Sequence, residues 1–300
     1  MSPTINSKVG FIGLGIMGKP MAKNLIKAGY KLVLYDINPA PVQELVSLGA
    51  EAAKSPKEVA QKTEVIITML PNSPHVKQVV LGENGVLEGA KPGSIIIDMS
   101  SKAPLVSVEV AAKAKEKGIR MMDAPVSGGE PGAIAGTLSI MVGGDEKDFE
   151  EYRDMLLCMG KSVVRVGDIG SGNTTKLANQ IIVALNIAAV SEALVLATKA
   201  GVSPKLVYDA IRGGLAGSNV LDTKAPLMMA RKFDPGFKID LHIKDLANVL
   251  ETAHQVGVPV PLTAAVMEIL QALKVDGKGS NDHGAIVNFY EKLAQIEVKA

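Results

Sequence analysis

The chain has 300 residues, with 32 lysines and arginines against 31 aspartates and glutamates, for a net charge of +1. It holds no basic block, five tyrosines, five phenylalanines and no tryptophan, so nothing in it builds a base-stacking platform, and the expectation is no nucleic-acid partner. The single cysteine, Cys158, excludes an intramolecular disulfide, fits a reducing cytosol, and reads as a small core residue. The first eight residues, Met1 to Lys8, are short and polar, which predicts no signal peptide and a cytoplasmic protein. A chain of this length predicts two domains.

Val9 to Ile12 reads as an apolar strand that runs into Gly13-x-Gly15-x-x-Gly18 at the mouth of a helix. Gly13 suits the tight turn out of the strand. Gly15 lets a pyrophosphate approach the backbone, and Gly18 allows close helix–strand packing. The helix start offers N–H groups and the positive dipole end to phosphates. The turn therefore predicts a dinucleotide site. Lys19 to Ala28 follows as a helix with Met21, Leu25 and Ala28 on one face, closed by Gly29.

A second strand, Lys31 to Asp36, ends in an acid about twenty residues past the glycines, where a carboxylate binds the adenosine ribose hydroxyls. A 2'-phosphate there would meet Asp36. Two like charges about 4 Å apart repel by roughly 1 kcal/mol in water and about 4 kcal/mol at an effective dielectric near 20. Residues 37 and 38 are Ile and Asn, with no arginine to offset this. NAD(H) is favoured, and use of NADP(H) stays open.

Further strands are predicted at 65–70, 94–99, 119–123, 139–142 and 162–165. Their near-continuous apolar runs suit a sheet covered on both faces, and the alternation of strand and helix predicts an α/β, largely parallel, doubly wound sheet. Near Gly167 the strand signal stops. Asn173 to about Ala200 reads as one helix capped by Gly201, about 40 Å long at 1.5 Å per residue. Helices at 203–212, 219–231, 241–256, 262–275 and 282–296 follow. The domains are therefore 1–167 and 168–300, the second all-α, joined by the long helix.

Ala178 to Ala197 is apolar enough to suggest a membrane span, yet it holds Asn179, Gln180, Asn186, Ser191 and Glu192. A central charge costs about 2.5–3.5 kcal/mol in lipid. The prediction is no membrane, a helix buried nearly all round, and burial partly against a second subunit of a homo-oligomer, dimer or tetramer.

In open α/β sheets, ligands lie at the carboxyl ends of strands. Those ends here are Leu70-Pro71-Asn72, Ser100-Ser101, and Asp123 through Gly129. The Ser127 hydroxyl with the Gly128 and Gly129 N–H groups can cradle a carboxylate, and the same three residues also suit an ordinary turn. The 129–136 stretch is too glycine-rich for a plain helix and is expected to be a shaped loop. Lys176 falls in the first turn of the long helix, where the dipole disfavours a cation and would lower its pKa toward that of a proton donor and acceptor. Asn179 and Gln180 share its face at i+3 and i+4. Lys244 and Asp245 lie at another helix start. The four histidines, at 75, 242, 254 and 283, have no metal-ligand spacing, and Met228-Met229 reads as core.

Four motifs in order, GLGIMG within Gly10–Met21, DAPVSGG at 123–129, GSGNTTK at 170–176, and Lys244-Asp245, resemble the β-hydroxyacid dehydrogenase family over essentially the whole chain. The resemblance implies an N-terminal Rossmann domain, a C-terminal helical domain, and NAD(P)-dependent oxidation of 3-hydroxy acids. It implies Lys176 as the catalytic lysine, and Ser127, Gly128 and Gly129 on the substrate carboxylate. It also implies cofactor contacts from the glycine turn with Leu14, Ile16 and Met17, and from Leu70, Pro71, Ser101 and Lys244.

The stretches at 69–76, 128–131, 210–218 and 239–248 are similar to the branch that reduces tartronate semialdehyde to glycerate. Enzymes of 3-hydroxyisobutyrate or succinic semialdehyde, and a non-catalytic NAD-binding module, are the alternatives. The family usually has asparagine four residues after the lysine. This chain has Gln180 there and Asn179 one step earlier, so either can supply the amide.

Overall fold

The computed structural model describes residues 8–300; of the polar N-terminal stretch read above, residues 1–7 lie outside the described residues. The chain divides into two compact units, one ending at Lys176 and the other Leu177–Ala300.

The first unit is a nine-stranded sheet with helices. In chain order its elements are β1 (Lys8–Ile12), α1 (Gly18–Lys27), β2 (Lys31–Tyr35), α2 (Pro39–Val46), β3 (Glu51–Ala52), α3 (Pro56–Lys62), β4 (Val65–Thr68), α4 (Ser73–Leu81), α5 (Val86–Gly89), β5 (Ile95–Asp98), α6 (Pro104–Glu116), β6 (Arg120–Asp123), β7 (Val126–Ser127), α7 (Gly129–Ala135), β8 (Leu138–Gly143), α8 (Glu146–Leu157) and β9 (Gly160–Gly167). The order β3-β2-β1-β4-β5-β6 is parallel throughout. β8 then pairs antiparallel with β6 and β7, and parallel with β9. This is a Rossmann sheet, as the alternating pattern predicts.

Residue parity explains the burial. Phe11, Ile67, Ile95 and Ile97 enter one apolar cluster, while Ile12, Ile66 and Ile96 enter another, and all are essentially inaccessible. Successive side chains point to opposite faces, so apolar runs in β1, β4 and β5 require cover on both sides. Each such side chain contributes roughly 1.5–3 kcal/mol.

A long helix, α9 (Ser171–Lys199), leaves this unit and continues into the second, which adds α10 (Pro204–Ile211), α11 (Asn219–Met229), α12 (Ile239–Gln255), α13 (Pro261–Leu273) and α14 (Val287–Ala294). The second unit has its own core, in which Met228 and Met229 are buried, as read from the sequence. The helix expected over 282–296 begins instead as a 3-10 turn, His283–Ile286, because the Asp282 carboxylate caps it by accepting from the Gly284 N–H.

Several expectations are corrected. Residues 129–135 form a helix, not a loop; Gly128 (φ +140°) and Gly136 (φ +66°) make its entry and exit, Gly132 is buried inside it, and the Asn24 amide donates to the Ala133 carbonyl at 2.7 Å. α9 starts at Ser171, so Lys176 stands in its second turn, where the dipole effect has faded. α9 is long and apolar enough to cross a membrane, but only 39% of its most apolar window is buried, with Ile182 and Leu196 exposed, so burial nearly all round does not hold within the chain. Cys158 sits half-buried at the end of α8, at the margin of the core. The division between the two compact units falls within α9, after Lys176, and the start of that helix is bonded to the sheet.

Candidate active site

In the first unit the glycine turn is shaped as its spacing requires. Gly13 has φ +95°, and a Cβ there would lie 2.3 Å from the Met69 carbonyl oxygen. A Cβ on Gly18 would lie 1.9 Å from the Gly13 carbonyl oxygen. Gly15 differs, since a Cβ there would meet nothing within 4 Å. The space above Gly15, next to the uncapped start of α1, fits a pyrophosphate, and the turn therefore fits a bound dinucleotide.

Asp36, just past β2, accepts the Leu14 N–H at 2.6 Å through Oδ2 and the Asn38 N–H at 2.7 Å through Oδ1. The acid is thus locked against the glycine turn and also shapes its own strand-end turn. A cleft of about 750 Å³ opens here, lined by Leu14, Gly15, Ile16 and Asn38 on one side and by Glu130 and Ile134 of α7 on the other. Met17 lies directly before α1 as its N-cap.

The strand-end loops are tied together. Leu70 lies beside the Gly13 turn, and its N–H donates to Ser100 Oγ at 2.9 Å, which sets the Leu70-Pro71 and Ser100-Ser101 segments side by side. Ser127 ends β7, opposite Ser139 of β8, and Gly128 and Gly129 follow with φ +140° and +61°.

Lys176 is 7% exposed. The start of its helix is anchored by Asp123, the last residue of β6. Asp123 Oδ1 accepts the Gly170 N–H at 2.7 Å, and Oδ2 accepts the Asn173 N–H at 2.6 Å. Gly172 lets this happen, since a Cβ there would lie 2.5 Å from the Asp123 and Met141 carbonyl oxygens. Burial pushes the Asp123 carboxyl above its usual range, while the nearby Lys102 charge and the bonds from Asn173 and Gly170 pull it back.

The second unit contains a polar chain of its own. Gln180, 4% exposed, accepts from Asn179 Nδ2 at 2.9 Å and donates to Asp245 Oδ2 at 2.5 Å. Asp245 Oδ1 lies 2.7 Å from the Lys244 ammonium. Asp245 was visible in the sequence only as the neighbour of Lys244; its link to Gln180 spans 65 positions, and no local pattern reports it. Two histidines far apart in sequence, His242 and His283, also meet, Nδ1 to Nδ1, at 3.0 Å. Among the described residues no group of three or more His, Cys, Asp and Glu side chains is placed to hold a metal.

Comparison with known proteins agrees with this geometry. Residues 8–167 match the NAD-binding domain of 6-phosphogluconate dehydrogenase, and residues 170–290 match the NAD-binding domain of NADP-dependent 3-hydroxyisobutyrate dehydrogenase. The chain belongs to the β-hydroxyacid dehydrogenase family of NAD(P)-dependent oxidoreductases.

Among its relatives is the 2-hydroxy-3-oxopropionate reductase of Escherichia coli, 46% identical over 96% of this chain and 98% of that protein. The 2-(hydroxymethyl)glutarate dehydrogenase of Eubacterium barkeri is 40% identical over 97% of both chains. The structure of Mycobacterium tuberculosis 3-hydroxyisobutyrate dehydrogenase with L-serine superposes with a TM-score of 0.89 at 32% identity, covering 95% of this chain and 99% of that one.

Proposed function

We propose that this enzyme reversibly reduces tartronate semialdehyde (2-hydroxy-3-oxopropanoate) to glycerate, with NAD(H) as the favoured cofactor. The observation that carries the reading is the placement of Lys176. It is a nearly buried lysine on a helix bonded to the end of β6, and the same unit bears the dinucleotide turn and the Ser127-Gly128-Gly129 segment. The 46% identity with the E. coli reductase supports the choice of substrate.

When bound, the nicotinamide cofactor supplies the hydride to the aldehyde carbon in reduction and takes it back in oxidation. The Gly13–Gly18 turn and Asp36 hold the dinucleotide, with Leu70, Pro71, Ser101 and Lys244 as further cofactor contacts. Asp36 disfavours a 2'-phosphate by charge. Ser127, Gly128 and Gly129 hold the substrate carboxylate on a turn whose two positive-φ glycines present backbone N–H groups. Lys176 gives a proton to the developing alkoxide in reduction and takes the hydroxyl proton in oxidation. Asn179 or Gln180, hydrogen-bonded to each other, supplies the amide that orients the lysine or the reacting oxygen.

The test is NADH oxidation on a panel of tartronate, methylmalonate and succinic semialdehydes, repeated with NADPH. A site that bonds the C2 hydroxyl discriminates against analogues without it by as much as about 10⁴-fold. The proposal expects the highest kcat/KM on tartronate semialdehyde. Equal or faster turnover of methylmalonate semialdehyde assigns the enzyme to 3-hydroxyisobutyrate, and no turnover of any member removes the catalytic reading.

A further inference from the structure

Lys102, two residues past Ser100, is fully enclosed in the first unit, with none of its side chain exposed. A charge buried in such a place is costly unless it is paired. Here it closes an ion pair with Asp98, also fully buried, at the end of β5. Asp98 is itself fixed, since Oδ1 accepts the Thr68 hydroxyl at 2.9 Å and the Ser100 N–H at 3.1 Å.

Asp98 stands directly across the parallel register from Asp123 of β6. The Lys102 charge reaches Asp123 as well. One buried cation therefore serves two neighbouring buried carboxylates. The backbone closes the circuit: the Lys102 N–H donates to Asn173 Oδ1 at 3.0 Å, while Asn173 donates to Asp123 from its own N–H and from Nδ2. The Asn173 amide also reaches Ser107 Oγ on α6 at 3.2 Å. Side chain and main chain of Lys102 thus both bear on the first turn of α9.

We propose that Lys102 is a positioning residue for the reaction: its ammonium balances Asp98 and Asp123, keeps Asp123 able to accept from Gly170 and Asn173 together, and so fixes the helix turn that sets the place of Lys176. This rests on the reading of Lys176 as the proton donor.

Without the cation, the two neighbouring carboxylates repel in a low-dielectric site, and Asp123, whose carboxyl burial already pushes up, takes up a proton. A protonated Asp123 is a poorer acceptor for two backbone N–H groups, and the start of α9 loosens. A displacement near 1 Å at a reacting group lowers rate by up to about 10²-fold. The glycine turn and Asp36 lie on β1 and β2, but the Ser100 N–H bonds Asp98 and the Leu70 N–H bonds Ser100 Oγ, so Lys102→Met can also disturb the Leu70-Pro71 and Ser101 cofactor contacts. Asp123→Asn leaves the Asp98–Ser100–Leu70 chain in place and reads the helix turn apart from NADH binding.

The experiment compares Lys102→Met and Asp123→Asn with the wild type. Asp123→Asn keeps shape but sets an amide NH2 against either the Gly170 or the Asn173 N–H, so it carries the test alone if Lys102→Met does not fold. Two measurements are made: hydrogen exchange at the Gly170 and Asn173 amides, and steady-state kinetics on the semialdehyde panel.

The expected result is exchange faster by about tenfold or more in both variants, kcat lower on the order of 10- to 100-fold, and an unchanged KM for NADH in Asp123→Asn. Wild-type exchange overturns the proposal, as does faster exchange with unchanged kcat, or in Asp123→Asn a kcat loss matched by a rise in the KM for NADH. If the wild type reduces no aldehyde, or Lys176→Ala keeps full turnover, the functional reading fails separately, and exchange at 170–173 still decides whether Lys102 fixes the turn.

Discussion

Gln180 and Asp245 are joined side chain to side chain at 2.5 Å although 65 positions separate them. Gln180 accepts from Asn179 and Asp245 also pairs with Lys244, so one buried carboxylate holds two polar neighbours and, through Gln180, reaches a third. Asp245→Ala leaves the Gln180 donor and the Lys244 ammonium without that partner in a nearly closed environment. The expected loss is about 3 kcal/mol, read from urea midpoints at pH 7. A loss within the range of a surface pair, under about 1 kcal/mol, means that the chain is relaxed in solution.

Lys176→Ala removes the proton donor while α9 keeps its anchor on Asp123. A positioned general acid contributes about 10²- to 10⁴-fold, so kcat should fall by that factor. The dissociation constant for NADH, followed by quenching or enhancement of its fluorescence, should not move. Turnover retained within tenfold would take this lysine out of the chemistry.

Gly15→Ala and Gly18→Ala should separate binding from folding. A Cβ on Gly15 enters open space in the free protein, so thermal stability stays at the wild-type level while NADH affinity collapses, because the methyl occupies the pyrophosphate path. A Cβ on Gly18 meets the Gly13 carbonyl at 1.9 Å, so this variant should lose stability first. Calorimetry and NADH titration on both variants read the difference. Equal effects in the two would mean that the turn does not receive the phosphates.

Asp36→Ala takes a negative charge away from the ribose end of the cleft. Relief of about 1–4 kcal/mol of repulsion corresponds to roughly 5- to 10³-fold in relative rate, so the ratio of kcat/KM with NADPH to that with NADH should rise by at least the lower figure. The variant also gives up the bonds from the Leu14 and Asn38 N–H groups, so NADH kinetics should worsen at the same time. An unchanged ratio would show that another group sets the preference.

Much of the first unit was legible because its signals are local. The glycine spacing, the run of isoleucines in β5, and an acid at the end of β2 each follow from a short window of sequence, and the largely parallel, doubly wound character of the sheet then follows from the alternation of elements. The helix at Gly129–Ala135 was not legible. Composition argued against it, and its support comes from capping glycines and from Asn24, more than a hundred positions away. The start of α9 was misplaced because Ser171 and Gly172 do not look helical, whereas the Asp123 carboxylate, from a distant strand, holds that turn in place.

Lys102 was invisible for a simpler reason. A lysine after two serines reads as solvated, and only the pairing of β5 with β6 puts it between carboxylates. The amide question at 179 and 180 could be posed from sequence, but the partner of Gln180 on α12, Asp245, could not be seen there.

The enclosed pair of Lys102 and Asp98 also constrains how this protein can change over generations. Replacing either member alone strands the opposite charge in the interior, a defect of about 3–5 kcal/mol, which is a large share of a typical domain's stability. An apolar residue at 102 becomes tolerable only once the acid at 98 or 123 has been neutralised. The two positions therefore drift together or stay still, and a library that randomises them jointly should yield folded variants that neither single-site library contains.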